Sequence, residues 1–295
     1  MKKMLFIYNP RAGRGTVRES LPDIVETFSA NDMEVVVHPT TRAKDATETV
    51  EERGREYDLI VCSGGDGTLD EVVTGMMQGG FSVPIGYIPA GSTNDYAASV
   101  GIPSDFEEAA RGIVNGSVCP MDVGKLGGDY FIYVAAFGAF TDVSYKTSQQ
   151  SKNMLGHLAY LIEGMKSLPS IKGWKMSYQS DEISGEGEFL YGMITNSNSV
   201  GGFKGITGKD ISLDDGLFEV TLITVTDNLL ELPAIAGALL NKDPNPHIIT
   251  FKTSHLEFES DELVPWTTDG EYGGSYRSVT VENVHSALPL IIPGK

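Results

Sequence analysis

Residues 59–71 read LIVCSGGDGTLDE, an apolar strand-like run followed by a glycine turn that carries the carboxylate of Asp66. The glycines around Asp66 are expected to allow positive φ angles and a close approach of backbone N–H groups to a ligand. A helix predicted from Thr68 to Met77 directs its positive end toward this turn, which favours a phosphate there. Asp66 is then a candidate to hold the Mg²⁺ that accompanies the phosphate. An ordinary βα turn remains the alternative, because Gly and Asp are common turn residues.

Two further polar turns follow apolar runs in the same way. Residues 4–8 (MLFIY) lead into NPRAGRG at 9–15, and residues 84–88 (PIGYI) lead into PAGSTND at 89–95. In an open parallel sheet, ligands bind outside the carboxyl ends of the strands. We therefore expect the three turns to converge on one site. None of them is a Walker A loop or a G-x-G-x-x-G dinucleotide turn, so phosphate binding here would use a different construction.

Five motifs follow one another along the chain. They are Asn9-Pro10 with Gly13, residues 64–68, Gly91 with Thr93-Asn94-Asp95, Gly201-Gly202 ahead of LDDGL at 213–217, and Asp269-Gly270-Glu271. In this order they resemble the diacylglycerol kinase catalytic family, which includes soluble bacterial lipid kinases. The family is related to sphingosine kinases and, more remotely, to NAD kinases, and the resemblance covers nearly the whole chain. It implies transfer of a phosphoryl group to a lipid hydroxyl, with diacylglycerol as the leading substrate and phosphatidic acid as the product.

Two of the chain's departures from the family pattern change a charge near the predicted nucleotide site. Asp70 stands where Asn is usual before the glutamate, and Ala98 stands where the family has an arginine. The missing arginine leaves its phosphate or network contact to be made by another residue. Arg11, Arg14 and Lys146 are the candidates.

The pattern of apolar residues changes near residue 120. Before it, apolar runs at 4–8, 33–37, 58–62 and 84–88 alternate with helix-like segments at 16–30, 44–56, 68–78 and 105–116. This alternation predicts a parallel sheet with helices on both faces. After it, β-branched and aromatic runs separated by glycine turns predict an antiparallel sandwich, interrupted by helices at 153–167 and 228–241. The runs lie at 130–137, 174–179, 188–196, 217–224, 248–251, 255–259 and 278–283.

These patterns and the resemblance predict an α/β plus β-sandwich protein of two domains. Residues 1–121 are expected to form a nucleotide-binding α/β catalytic domain, doubly wound and resembling the NAD kinase and phosphofructokinase architecture. Residues 122–295 are expected to form a β-rich lipid kinase domain. Whether its final segment packs back on the first domain is left open. The site is expected between the two, where ligand pockets often occur.

The cofactors are predicted to be ATP and Mg²⁺, because phosphoryl transfer needs charge neutralisation and in-line positioning. Thr40 is included because it follows the strand at 33–37 at the same sheet edge, and Thr41 is a near-equal candidate. The nucleotide-binding residues assigned by the turns and the resemblance are Asn9, Pro10, Arg11, Ala12, Gly13, Thr40, Gly64, Gly65, Asp66, Gly67, Thr68, Leu69, Asp70, Thr93, Asn94 and Asp95.

The reaction also needs a group that accepts the proton of the attacking hydroxyl. The resemblance favours Glu271 as this base, in a partly desolvated cleft that would raise its pKa. Asp269 is the second choice, either bonding the same hydroxyl or holding the turn. Asp269-Gly270 as a plain turn is the alternative, since closing a turn is the commonest use of Asp-Gly. Asp122 is a further candidate for the acid network.

The acidic loop LDDGL at 213–217 predicts a second cation, because consecutive acids in a loop suit hard cations such as Mg²⁺ or Ca²⁺. The resemblance assigns the Asp215 side chain and the carbonyls of Ser212 and Leu217 as ligands. This ion would be structural or regulatory, apart from the one near Asp66.

The net charge of −18 argues against nucleic acid as a partner and against strong adsorption to anionic membranes. The expected partner is a lipid substrate at the membrane surface, met peripherally and transiently; a homodimer is left open. Five lysines between 146 and 175 are interpreted either as a solvated face or as a membrane patch. No signal peptide or transmembrane segment is recognised, and two cysteines without metal spacing suit the cytoplasm. NAD kinase and a catalytically dead nucleotide- or lipid-binding module are the alternative functions.

Overall fold

The computed structural model describes residues 1–138, 172–197, 199–200, 203–204, 211–226 and 228–294. They form two compact units. The first unit consists of Met1–Asp122 with Ser286–Lys295, and the second of Val123–His285.

The first unit is built on a parallel sheet in the order β4-β3-β1-β2. Its strands are β1 (Lys2–Tyr8), β2 (Met33–Pro39), β3 (Leu59–Gly64) and β4 (Ile85–Pro89). The parallel pairing expected for strand 4–8 is confirmed with both of its neighbours. Every residue of β3 is buried, so both faces of the sheet are covered there.

The helices of the first unit follow the strands, as the alternating pattern predicted. They are α1 (Val17–Ser29), α2 (Asp45–Arg53), α3 (Asp66–Gly79), α4 (Asp95–Val100) and α5 (Phe106–Asn115). Helix α1 packs against α5, and α2 packs against α3. Helix α3 begins at Asp66 rather than at the predicted Thr68, because an acidic residue in the first turn is favoured by the helix dipole. Helix α4 was not predicted, since six residues are too few to show a helical period.

The second unit consists mainly of antiparallel strands. After β5 (Ser117–Leu126), which begins in the first unit, come β6 (Asp129–Phe131), β7 (Val134–Gly138), β8 (Trp174–Ser180), β9 (Ser184–Thr195), β10 (Ser199–Val200), β11 (Phe203–Lys204), β12 (Phe218–Thr224), α6 (Leu232–Asn241), β13 (Ile248–Thr253), β14 (His255–Thr268) and β15 (Glu271–Ile292). Strands β9 and β14 each pair with both β7 and β8, so these four strands close into a ring.

The interior of this ring is aromatic. Phe137, Phe258 and Trp266 lie with their ring centroids 4.8–5.6 Å apart, in the range of favourable aromatic contacts. Strand β14 is longer than the predicted run at 255–259, because it continues through a bulge between Glu259 and Val264 that holds charged residues. Because these residues are charged, the apolar pattern of the sequence did not indicate that the strand continues.

Strand β15 ends in the first unit, where Leu290 pairs in parallel with Ile85 of β4. Within the described part of the chain, every helix is too short or too polar to cross a membrane. The predicted helix at 153–167, together with Lys146, Lys152 and Lys166, lies outside the described residues. Lys172 is described and is engaged: its Nζ lies 2.7 Å from Glu262 and 3.7 Å from the centre of the Trp174 ring.

Candidate active site

The carboxyl ends of β1, β2, β3 and β4 lie at the same edge of the first unit's sheet. In the register, Tyr8 is opposite both Pro39 and Ser63, and Gly64 is opposite Pro89. Backbone hydrogen bonds continue the sheet into the turns. The Asn9 N–H donates to the Ser63 carbonyl at 2.8 Å, and the Ala90 N–H donates to the Gly64 carbonyl at 2.6 Å. The three glycine turns therefore meet at one edge, as their positions in the sequence predicted.

Glycines are required in these turns mainly by close packing of one turn on another. A Cβ at Gly91 would lie 2.6 Å from the Gly65 Cα, and a Cβ at Gly13 would lie 2.1 Å from the Ala90 oxygen. Gly13 also has a positive φ of 51°. Gly65 has φ −84°, and Gly64 and Gly67 are not among the glycines with positive φ. The expectation of positive φ around Asp66 is therefore wrong, and the glycines there serve close approach instead.

The N-terminus of α3 points its backbone N–H groups toward this edge. Gly65 is the N-cap, and Asp66 is the first helical residue. The Thr68 and Leu69 N–H groups donate to the Gly65 carbonyl. The first N–H groups of a helix have no acceptor within the helix, and with the dipole they form an anion-binding site. The Leu69 side chain is fully buried, so only its backbone faces this region.

The Asp66 carboxylate joins the second turn to the third. Its Oδ2 accepts the Asp95 N–H at 3.0 Å, and its Oδ1 accepts the Tyr96 N–H at 3.3 Å. These donors are the first residues of α4, so Asp66 caps that helix from a distance. Asp66 is 8% exposed and Asp95 is 3% exposed. Two acidic residues are thus buried together at a sheet edge that also presents the N-terminus of α3.

Asn94 shapes the third turn from within. It has a positive φ of 52°, its Oδ1 accepts the Gly91 N–H at 2.8 Å, and its Nδ2 donates to the Gly91 carbonyl at 3.1 Å. The buried Tyr87 hydroxyl donates to the Gly64 carbonyl at 3.2 Å and lies 3.4 Å from Asn94 Oδ1. Burial, with the negative charge of Asp66 nearby, raises the pKa of Tyr87 well above its ordinary value, which keeps the hydroxyl a donor. Sequence reasoning missed Tyr87; its signal was a polar hydroxyl inside the apolar run 84–88.

Thr40 and Thr41 are separated by their contacts. The Thr40 N–H donates to the Tyr8 carbonyl at 2.9 Å, which places Thr40 beside the first turn. Thr41 donates both its N–H and its hydroxyl to Asp45 Oδ2, at 2.6 and 2.7 Å. Burial raises the pKa of Asp45, but the bonds from Thr41 and His38 outweigh burial and lower this pKa to about 2. Thr41 is therefore hydrogen-bonded to the first residue of α2, and Thr40 is the better placed of the two for a ligand.

Two further residues support the shape of this edge. Asn9 Oδ1 accepts the Arg11 N–H at 2.9 Å, and the Arg11 side chain is exposed. Glu71, which sequence reasoning did not assign, accepts the N–H groups of Lys44 and Ala46 at 2.9 and 3.2 Å. Glu71, the glutamate that follows the glycine motif, thus caps α2. A local sequence pattern does not indicate this bond, because Glu71 and its donors are far apart in the sequence.

In the second unit, Asp269 and Gly270 connect β14 to β15 by a two-residue hairpin turn. Both have positive φ, 49° and 83°, and Thr268 is paired with Glu271. This is the signature of a type I′ turn, for which Asp-Gly is a preferred sequence. The turn that was the alternative interpretation of Asp269-Gly270 is therefore present. The same turn presents Glu271, which is exposed rather than partly desolvated as expected.

The Asp269 carboxylate accepts hydrogen bonds from three backbone N–H groups. Its Oδ2 accepts the Ile132 N–H at 2.7 Å, and its Oδ1 accepts the N–H groups of Tyr133 and Val134 at 3.1 and 2.9 Å. Asp269 is only 7% exposed. Of the two acids in this motif, Asp269 therefore holds the hairpin, whereas Glu271 is exposed.

Asp122 has a comparable structural contact in the first unit. It is fully buried, and its Oδ1 accepts the Ser286 N–H at 2.8 Å. The contact fixes the segment that brings β15 beside β4.

The acidic loop lies in the second unit and leads into β12. Asp215 Oδ1 accepts the Leu217 N–H at 3.1 Å, and Asp215 Oδ2 lies 3.6 Å from Lys252 Nζ. The Ser212 hydroxyl donates to the neighbouring Asp214. Within the described ranges, no three His, Cys, Asp or Glu side chains are grouped to hold a metal ion. Asp215 thus meets a backbone donor on one oxygen and an ammonium near the other, and the cation site of Asp215 with the carbonyls of Ser212 and Leu217 stays a prediction.

Comparison with known proteins identifies the family. A model of the diacylglycerol kinase catalytic domain matches residues 3–126. A diacylglycerol kinase of Bacillus subtilis is 36% identical over 297 residues, which cover 99% of this chain and 97% of that protein. The chain belongs to the diacylglycerol kinase family. A diacylglycerol kinase of Staphylococcus carnosus is 34% identical over 276 residues, which cover 92% of this chain and 90% of that protein.

The fold of the family agrees with the architecture described above. A crystal structure of a candidate diacylglycerol kinase from Bacillus anthracis str. Sterne matches with a TM-score of 0.85 and 25% identity. The match covers 99% of this chain and 95% of that chain. The coarse prediction of an α/β part with a β-rich part is confirmed. As a member of the diacylglycerol kinase family, the chain is a lipid kinase phosphotransferase, and the match sets aside NAD kinase.

The turns of this diacylglycerol kinase family member fit a magnesium nucleotide. The α3 N-terminus suits a phosphate. Carboxylate oxygens are ligands that a hard cation or its bound water prefers, so the Asp66 carboxylate at this edge suits Mg²⁺. The bonds from Asp66 to α4 indicate that Asp66→Ala would also remove a structural contact.

Proposed function

We propose that the chain transfers the γ-phosphoryl group of ATP, with Mg²⁺, to the free hydroxyl of diacylglycerol and so forms phosphatidic acid. The observation that carries this proposal is the meeting of three glycine turns at the N-terminus of α3, with Asp66 buried between the second and third turns. Family membership supports a lipid acceptor.

The first unit would hold the nucleotide. Backbone N–H groups at the start of α3 and in the turn Asn9–Gly13 would donate to phosphate oxygens, and Thr40 and Thr93 would contact the nucleotide from the flanking turns. Bound Mg²⁺ supplies neutralisation of the phosphate charge. Asp66 and Asp95 would hold that ion, directly or through water, because both carboxylates are at this edge and buried.

The second unit would supply the base. The Glu271 carboxylate would take the proton of the lipid hydroxyl, and the hydroxyl oxygen would form a bond to the γ-phosphorus. The bond from the γ-phosphorus to the β,γ-bridging oxygen would break, and ADP would leave with that electron pair. Asp269 positions Glu271, because its three backbone bonds fix the hairpin that carries the glutamate.

The proposal extends to architecture and place of action. A parallel sheet whose strand β3 is buried on both faces supports a doubly wound first unit. The pairing of β9 with β7 and of β14 with β8 supports a sandwich-like second unit. We place the protein in the cytoplasm, with transient contact to the membrane that holds its substrate. The charge of −18 makes such contact brief, because anionic lipid repels an acidic surface.

The test is transfer of label from [γ-³²P]ATP to mixed micelles that each contain one acceptor. The lipid acceptors are diacylglycerol, phosphatidylglycerol, sphingosine, ceramide and a polyprenol, and a water-soluble alcohol is tested beside them, each with Mg²⁺ or with EDTA. Glu271→Gln is compared with Glu186→Gln, a control at an exposed glutamate of β9 in the same unit. We expect labelled phosphatidic acid that requires Mg²⁺, a loss of at least ~10²-fold in Glu271→Gln as for removal of a general base, and no loss in the control. Labelling of a water-soluble alcohol but of no lipid would overturn the lipid assignment.

A further inference from the structure

The loop that resembles a metal site faces a lysine from a neighbouring strand. Lys252 lies on β13, directly opposite Glu219 of β12 in the antiparallel register. Its Nζ lies 2.9 Å from Glu219 Oε1 and 3.6 Å from Asp215 Oδ2. One ammonium group thus lies between two carboxylates, one at the end of the acidic loop and one in the sheet.

The Glu219 side chain is 7% exposed. Among the described residues its charge is met by Lys252, whose Nζ lies 2.9 Å from Glu219 Oε1. Burial raises the pKa of Glu219, and Lys252 opposes that effect. Glu219 and Asp215 in turn raise the pKa of Lys252, so the lysine stays charged. A buried carboxylate whose positive partner is removed is strongly destabilised.

A divalent cation would compete with this ammonium for the same oxygen. Mg²⁺ binds oxygen at ~2.0–2.1 Å and Ca²⁺ at ~2.3–2.6 Å. An ion at that distance from Asp215 Oδ2 would lie no more than about 6 Å from Lys252 Nζ, which is 3.6 Å from the same oxygen. The two cations would repel each other, so each would weaken the binding of the other to this carboxylate.

We propose that Lys252 is the cation of the acidic loop, and that its ammonium takes the place of a structural Mg²⁺ or Ca²⁺ between Asp215 and Glu219. The loop and the adjoining ends of β12 and β13 then fold without a metal ion. The nucleotide-bound Mg²⁺ proposed at Asp66 is a separate ion, in the other unit.

The test measures the melting temperature of the full chain without nucleotide, in EDTA and over a titration of MgCl₂ or CaCl₂. We expect the wild type to melt at the same temperature throughout. Lys252→Met is expected to melt at least ~5 °C lower in EDTA, and to recover part of this loss as Mg²⁺ or Ca²⁺ binds to the freed carboxylates. The matched control is Lys125→Met, which removes an equal charge from a more exposed pair with Glu282. The melting temperature of the control is expected to lie within ~1 °C of that of the wild type and not to change with Mg²⁺ or Ca²⁺.

The proposal would be overturned in favour of the metal if Mg²⁺ or Ca²⁺ raised the melting temperature of the wild type but not that of Asp215→Asn. The proposal would also be overturned if Lys252→Met had the same melting behaviour as Lys125→Met. If Lys252→Met does not fold under any condition, Lys252→Arg takes its place. The arginine keeps the positive charge, and a metal-insensitive, folded Lys252→Arg supports the proposal, whereas a metal-dependent one contradicts it.

Discussion

Replacing Asp269 by alanine is expected to destabilise the second unit far more than replacing the neighbouring Glu271. The substitution leaves the N–H groups of Ile132, Tyr133 and Val134 without their acceptor. A buried donor left unsatisfied costs ~1–3 kcal/mol. Alanine at φ 49° adds ~1 kcal/mol, because the left-handed region is unfavourable for it. The lower end of these values gives a loss of ~4 kcal/mol in the free energy of unfolding.

Tryptophan fluorescence during urea unfolding is the appropriate assay for this loss. The two tryptophans of the chain, Trp174 and Trp266, both lie in the second unit, so their emission follows that unit alone. With a slope of ~2 kcal/mol per molar urea, the midpoint should fall by ~2 M. Asp181→Ala, at an exposed position in the β8–β9 hairpin, is the matched control and should stay within ~0.5 kcal/mol of the wild type.

Glu271→Gln completes this comparison. The glutamate is exposed, so its replacement should leave the urea midpoint unchanged while the kinase activity falls. A midpoint of Asp269→Ala within ~0.4 M of the control would refute the structural role assigned to Asp269. The division of roles within the Asp-Gly-Glu motif would then be wrong.

The remaining predictions concern the first unit. Asp66→Ala should abolish phosphoryl transfer and also lower stability by ~1–3 kcal/mol through the lost bonds to α4, which circular dichroism during urea unfolding would show; full activity would place the site elsewhere. Thr40→Val should raise the KM for ATP severalfold, whereas Thr41→Val should leave that KM unchanged and lower stability by ~1 kcal/mol. Because the pKa of Asp45 is lowered from 3.8 to about 2, its stabilising contribution is complete above pH ~4 and is lost as the pH falls toward 2; Asp45→Asn should flatten this part of the pH–stability curve. Gly91→Ala should cost ~1–3 kcal/mol by overpacking, and a fully stable variant would contradict the close contact with Gly65.

The strand ends and their turns were predictable because each is a local pattern. An apolar run followed by Gly, Asp and Asn marks the carboxyl end of a buried strand, and the parallel order then brings the ends together. The Asp-Gly turn, which was the alternative interpretation of that motif, follows the same local logic, since the dipeptide has a strong preference for one turn type. Thr40 was placed correctly beside Tyr8 because it follows a strand directly.

The contacts that decide roles within the site were not predictable, because they join residues far apart in the sequence. Asp66 capping α4, Glu71 capping α2 and Asp269 holding the segment 132–134 are all bonds from a carboxylate to distant backbone. Carboxylates in a motif suggest catalysis or metal binding equally well. The ion pair between Lys252 and Glu219 depends on strand register, which a single sequence does not report.

The return of residues 286–292 to the first unit has a consequence for synthesis on the ribosome. Strand β4 is complete early, but its partner on one side, around Leu290, is translated about 200 residues later. At ~5–20 residues per second, the interval is roughly 10–40 s. During that time this edge of β4 presents unpaired backbone groups, which in other proteins invite pairing with a second chain. The first unit thus begins to form first and is completed last, so premature termination between the two strands would leave a sheet edge open to pairing with another chain.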